Sequence, residues 1–153
     1  MTKEQINEYS VRISQSSKTE LVSITCEIIN NYISDAVSAL KDNDRESFSV
    51  FVKRAMSFVD DLSSSLDMKY DISYNLLSLY MYVKRILIHG NAHITDKDFE
   101  SAVKVMEEIG NAFRAVAANS LCNEKSMENS DKIYAGYTYG KNLKLNEVVV
   151  KNI

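Results

Sequence analysis

Apolar residues recur at helical spacing along four stretches of the chain, and short polar links separate these stretches. At about 100° per residue, this spacing predicts amphipathic helices that each turn one face toward a core. The predicted helices span residues 18–41, 45–66, 71–89 and 96–120. Helices of similar length joined by short links predict an all-α fold, an antiparallel up-down-up-down four-helix bundle with a C-terminal extension.

Local signals define the predicted helix ends. Ser17 and Glu20 form a capping-box pattern at the start of the first helix. Gly90 and Asn91 both tolerate the left-handed backbone conformation, so we expect the third helix to end there. Thr95 is placed to cap the fourth helix. Residues 1–15 precede the bundle as a separate N-terminal segment.

The third predicted helix carries apolar residues on two faces. The face assigned to the core comprises Ile72, Leu76, Leu79, Tyr80, Val83, Ile86 and Leu87. The nearly opposite face comprises Tyr74, Leu77, Met81 and Ile88. A surface helix normally places charge on its outer face, so this second face predicts a binding surface for something apolar. Two alternatives stay open: residues 1–15 pack over the second face, or a homodimer buries it.

The first predicted helix also has more apolar surface than a single core contact needs. Its apolar side chains fan over roughly 220°, against the roughly 100–140° that a bundle helix usually devotes to its core. We therefore expect Ile29, Ile33 and Val37 to extend the binding surface of the third helix.

Composition narrows the classes of function. The chain has 153 residues, no proline, four glycines and a net charge of −3, which provides no cationic excess for nucleic acid. No apolar run reaches the roughly 20 residues of a membrane helix, and the N-terminus lacks a signal-peptide core, so we expect a cytoplasmic protein without membrane contact. Cys26 and Cys122 lack metal-ligand spacing and are interpreted as reduced, small apolar residues.

Candidate catalytic chemistry is sparse. His89 and His93 are separated by Gly90 and a predicted helix end, and neither follows a Glu by three residues, so we expect no metal site. No phosphate-binding loop or nucleophile arrangement is recognisable, and we expect no enzymatic activity and no cofactor. A histidine phosphotransfer bundle stays an alternative, because Lys84 and Arg85 lie near His89.

The C-terminal tail, residues 122–153, begins with a polar connector and then becomes apolar. Its apolar residues include Tyr134, Tyr137, Tyr139, Leu143 and Leu145. Such a tethered segment would act at an effective concentration near millimolar, so we expect it to compete with a partner for the binding surface. A flexible tail without this role is the alternative.

Several residues together resemble the FliS family of flagellar export chaperones. The resemblance rests mainly on a Leu-Asp turn that leads into the third helix and on the residues that follow it: Leu66, Asp67, Ile72, Asn75, Leu76, Leu79, Tyr80 and Tyr82. Supporting matches are Tyr9 ahead of residues 18–22, Asn91, and Phe113 where the family usually has tryptophan. The resemblance spans about residues 5–118.

The resemblance implies a bundle that binds the disordered C-terminal segment of flagellin, prevents premature polymerisation and aids delivery to the flagellar type III export apparatus. It also implies that the segment around Tyr9 acts as a lid. Export-gate and flagellar regulatory proteins are further expected partners. The chain departs from the family at Cys26, often tyrosine, and at Leu77 and Met81, which are frequently polar.

Overall fold

The computed structural model describes residues 1–119, and within them it contains five helices and no strand. The helices are α1 (Lys3–Gln15), α2 (Lys18–Lys41), α3 (Arg45–Ser64) and α4 (Asp71–His93), followed by α5, which is helical over residues 99–119. The chain divides at Val116 into two units, and residues 116–119 are the described part of the second. The tail at 122–153 and Cys122 lie outside the described residues.

The N-termini of α2 and α3 are set by side-chain caps. Ser17 Oγ accepts a hydrogen bond from the Glu20 backbone N–H at 3.2 Å, and Glu20 Oε2 accepts from the Ser17 N–H at 2.8 Å. These two bonds satisfy amide groups that the first turn of a helix leaves free. Asp44 caps α3 in a similar way, since its Oδ1 accepts from the Ser47 N–H at 3.0 Å. The bounds of α2 coincide with the predicted 18–41, whereas α3 ends two residues before the predicted 66.

The core lies where α2, α3, α4 and α5 meet. α3 packs against both α2 and α4, and Asn30 Nδ2 of α2 donates to the Val103 carbonyl of α5 at 3.3 Å. The rings of Phe48 and Phe99 stack with their centroids 6.0 Å apart, joining α3 to α5. The largest fully buried side chains are Tyr80, Phe48, Ile29, Ile33, Leu87, Met106, Val52, Val59, Val83 and Cys26.

The end of α4 differs from the prediction. Gly90 and Asn91 do not end the helix, which continues to His93 and stops at Ile94, a residue with a left-handed φ of 51°. Gly90 is buried within the helix, and a Cβ there would overlap the Phe99 ring and lie 2.7 Å from the Thr95 carbonyl oxygen. The glycine therefore permits a close approach of the chain entering α5. α5 itself begins at residue 99, later than the predicted 96.

The N-terminal segment is helical. Thr2 and Gln5 form a capping box for α1, with Thr2 Oγ1 accepting from the Gln5 N–H at 3.3 Å and Gln5 Oε1 accepting from the Thr2 N–H at 2.8 Å. α1 contains no fully buried residue and packs against α2, and in the described chain none of its Cα atoms lies within 8 Å of one in α4. Tyr74, Met81 and Ile88 on the outer face of α4 are exposed, so α1 does not cover that face in this conformation and the first of the two alternatives for it does not hold.

We expect Gly90→Ala to lower the free energy of unfolding by about 1–3 kcal/mol, because the new methyl group would overpack the α4–α5 junction. The Thr95 oxygen belongs to the backbone and cannot rotate away. The cost of overpacking should exceed the roughly 1 kcal/mol by which alanine stabilises a helix relative to glycine, so the variant should be less stable than the parent chain. Urea-induced unfolding measures the difference.

Gly110→Ala is the matched control. A Cβ at Gly110 would lie 3.2 Å from Cys26 Cβ and meet no backbone atom closer than the Ser23 carbonyl oxygen at 3.7 Å. We expect a smaller loss than at Gly90. A Gly90→Ala variant as stable as the parent chain would contradict the close approach described above.

Candidate functional site

A narrow buried stripe runs along α4. Its buried residues are Ser73, Tyr80, Val83, Leu87 and Gly90, with Leu76 half-buried between them. Their spacing alternates between three and four residues, which is the repeat of a coiled-coil seam. Such a seam covers only a thin strip of the helix surface. Large apolar side chains on both sides of the stripe therefore stay in contact with solvent.

One side of the stripe is formed by Tyr74, Leu77, Met81 and Ile88, called the α4 patch below. Tyr74, Met81 and Ile88 are 56%, 39% and 49% exposed, while Leu77 is half-buried. On a helical projection Lys84 lies between the stripe and the patch, and its Nζ pairs with Asp60 of α3 at 2.5 Å. The patch therefore borders α3 and presents apolar surface outside the core.

The other side of the stripe corrects the sequence prediction. The sequence pattern places Ile72 and Leu79 on the core face, yet they are 65% and 40% exposed. Together with the exposed Tyr82 they form what we call the opposite row. Gly90, on the same edge of α4, contacts Phe99, so this row borders α5. Sequence reasoning missed it because Ser73 and Gly90, which mark the true phase of the seam, have small side chains that carry little apolar signal.

The residues proposed on α2 do not join the α4 patch. Ile29 and Ile33 are 0% and 1% exposed, so the expectation that they form binding surface is wrong for this conformation: they face the core. Val37 is half-buried and lines a cleft of about 650 Å³ with Phe99 and Val103. The cleft is lined by residues of α2 and α5, whereas the α4 patch borders α3.

α1 rests on α2 through polar contacts. Tyr9 Oη accepts from Asn31 Nδ2 at 2.6 Å, and Arg12 donates to both oxygens of Glu27 at 2.8 and 3.1 Å. The N-terminal amine pairs with Asp35. Glu27, Asn31 and Asp35 follow one another at four-residue intervals, so they share one face of α2. We call this face the α1 seat.

Glu27 is the central charge of the α1 seat. Besides Arg12, it pairs with Arg114 of α5, whose Nη2 lies 2.5 Å from Glu27 Oε1. Partial burial raises the pKa of Glu27, but the hydrogen bonds and positive charges of Arg12 and Arg114 outweigh burial and hold the pKa below its usual value. The carboxylate is therefore ionised near neutral pH and holds both guanidinium groups.

The Leu-Asp turn lies between α3 and α4. Asp67 Oδ1 accepts from the Lys69 N–H at 3.1 Å, and the Asp67 carbonyl accepts from Ser73 Oγ at 2.6 Å. Ser73 is buried at the start of the α4 stripe, so this turn fixes where α4 begins. Leu66 packs against the core at its edge, whereas Asn75 is exposed on α4.

The other candidate residues give no reactive constellation. Burial raises the pKa of the Cys26 thiol to about 12, so it stays protonated. Among residues 1–119, no group of three or more His, Cys, Asp or Glu side chains is arranged to hold a metal ion. In the same part of the chain, no helix is both long and apolar enough to span a membrane.

Comparison with known proteins agrees with the resemblance noted in the sequence. The family model described as "Flagellar protein FliS" matches residues 2–120, which include all five helices as far as they are described. A search of curated proteins gives no significant individual match. Because the match covers most of the chain, this protein belongs to the FliS family of flagellar export chaperones.

Proposed function

We propose that this protein binds the disordered C-terminal segment of flagellin in the cytoplasm, prevents its premature polymerisation and aids its delivery to the flagellar type III export apparatus. The proposal rests on membership of the FliS family. The single structural observation that supports a client-binding surface is the exposure of Tyr74, Met81 and Ile88 along one edge of α4. A solvent-exposed apolar row on a long helix favours binding of an amphipathic client.

The proposed frame for this surface is an antiparallel four-helix bundle of α2 to α5. Only residues 42–44 separate α2 from α3, a link that favours an antiparallel neighbour. Residues 65–70 separate α3 from α4, and residues 94–98 separate α4 from α5. In such a bundle α2 and α4 occupy diagonal positions, which agrees with the finding that none of their Cα atoms lie within 8 Å of each other.

The α4 patch suits a flexible apolar client. Tyr74, Leu77, Met81 and Ile88 are separated by three, four and seven residues, so they lie along one edge of α4, with Lys84 between Met81 and Ile88. Methionine is flexible and polarisable and adapts to different side chains, while tyrosine supplies a rigid ring with little conformational entropy to lose. An amphipathic client helix lying along this edge would bury apolar area on both partners.

We further propose that α1 is a lid that must leave the α1 seat during client binding. Tyr9, assigned to the lid by the family resemblance, hydrogen-bonds to Asn31 on the seat. No residue of α1 is fully buried. Tyr9 packs half-buried against the core, and the ion pair and hydrogen bonds to the α1 seat supply the polar contacts. Partly exposed ion pairs contribute little net stability, which lets the helix detach without disturbing the core.

Replacing Tyr74 and Met81 together by Ser should weaken binding of a flagellin C-terminal peptide by at least about 2 kcal/mol, or roughly 30-fold in Kd. The expected cause is loss of apolar area at the interface. Both side chains lie outside the buried stripe, so thermal unfolding of the variant should stay cooperative. Isothermal titration calorimetry measures the change in affinity.

Two control variants locate the surface. Val50→Ser removes an apolar side chain of α3 that is 45% exposed and lies outside the α4 patch, and it should leave the affinity unchanged. Ile72→Ser with Leu79→Ser removes two exposed residues of the opposite row. If this second double variant alone weakens binding, the client uses the α5-facing edge of α4, and our assignment to the α4 patch is wrong.

Weakening the α1 seat should speed client binding. Glu27→Gln removes the charge that holds Arg12, so we expect a several-fold higher association rate than that of the parent chain. Deletion of residues 1–15 should raise the association rate to a similar value. Added salt should raise the rate of the parent chain in the same direction, because salt screens the exposed ion pairs. Stopped-flow fluorescence with a labelled flagellin peptide measures these rates.

Glu100→Gln is the matched control for this experiment. It breaks an exposed ion pair with Lys104, at 2.7 Å on α5, that does not involve α1. Its association rate should equal that of the parent chain. If deletion of residues 1–15 leaves the rate unchanged, α1 is not a lid for this client.

A further inference from the structure

Two histidines lie side by side near the end of α4. Because α4 continues through Gly90 to His93, His89 and His93 are separated by one helical turn on the same face. Their ring centroids are 4.3 Å apart and the rings are stacked at 29°. Both side chains are exposed. The sequence-based argument against a metal site assumed a helix end between these residues, and that assumption does not hold.

The ring of His93 is oriented by a contact with the backbone. His93 Nδ1 lies 3.0 Å from the His89 carbonyl oxygen. A carbonyl can only accept, so this contact favours the tautomer with a proton on Nδ1 and a free electron pair on Nε2. Metal-binding histidines commonly orient their second nitrogen toward a backbone carbonyl in this way. His93 therefore has a positioned Nε2 donor beside the exposed imidazole of His89.

We propose that His89 and His93 form a two-histidine site for a divalent transition metal ion such as Zn²⁺, Ni²⁺ or Cu²⁺. Imidazole is a preferred ligand of these ions, whereas Mg²⁺ and Ca²⁺ prefer oxygen. No third protein ligand is grouped with the pair within residues 1–119. Water completes the coordination, and the site is an exchangeable surface chelate that is independent of flagellin binding.

A bound ion would also act on the fold. His89 and His93 flank Gly90, the residue against which Phe99 packs at the entry to α5. An ion held by both imidazoles links the last two turns of α4, directly before the left-handed residue Ile94. The unfolded chain does not hold the two imidazoles in a fixed arrangement, so the ion binds the folded helix more tightly. It therefore stabilises the folded state by mass action.

The test is calorimetric titration of untagged full-length protein with Zn²⁺ and, separately, Ni²⁺ near neutral pH, together with thermal unfolding at each metal concentration. We expect one ion per chain at the pair and a rise in Tm that a chelator reverses. His89→Gln and His93→Gln should each weaken binding by at least about tenfold, since a second ligand held nearby acts at high effective concentration. Both residues are exposed, so these variants should fold.

A variant with His93→Gln and Lys18→His keeps the number of histidines but places one on α2. It should bind no better than His93→Gln alone. The proposal is overturned if the single glutamine variants bind as tightly as the parent chain, if this relocated histidine restores full affinity, or if neither ion binds at millimolar concentration.

Discussion

The thin buried seam of α4 is the constraint on which the exposed surface depends. Only a narrow strip of α4, between Ser73 and Gly90, reaches the core. Small residues at both ends of this strip let the neighbouring chain segments approach closely, as the Gly90 and Phe99 contact shows. The strip is narrow, so several large side chains beside it lie outside the core. Apolar residues on both edges therefore stay exposed. A partner that covered them would gain a binding free energy of roughly 25 cal/mol per Å² of apolar area buried.

Local rules in the sequence predict much of the fold, because they depend on neighbouring residues only. The capping box at Ser17 and Glu20 lies where the sequence predicts it, and the cap at Asp44 agrees with the predicted start of the second helix at residue 45. The apolar period similarly identifies Tyr80, Val83 and Leu87 as core. For these elements the local and tertiary preferences agree.

The errors occur where tertiary contacts override local preference. Gly90 is a helix-end signal in isolation, but the packing of Phe99 makes it an interior glycine. Ile72 and Leu79 fit an apolar face, yet the seam follows Ser73, so they fall outside it. Ile29 and Ile33 are both used by the core because α2 contacts helices on more than one side. The identity and spacing of residues in one helix do not indicate how many other helices pack against it.

The chemistry of α1 and α4 suggests how one client could use both. The α1 seat is polar and centred on Glu27, whereas the α4 patch is apolar. Exposed ion pairs contribute about 0–1 kcal/mol each, so releasing α1 costs little compared with opening the core.

The seat lies on α2 and the α4 patch on α4, two helices with no Cα atoms within 8 Å of each other, so a client that uses both must extend across more than one helix. A disordered segment can reach both by wrapping around the helices, although ordering it costs roughly 1–2 kcal/mol per residue in backbone entropy. That entropy must be offset by buried apolar area, which the α4 patch can supply and the α1 seat cannot. The α4 patch would therefore determine client affinity, and the α1 seat would determine how fast the client gains access.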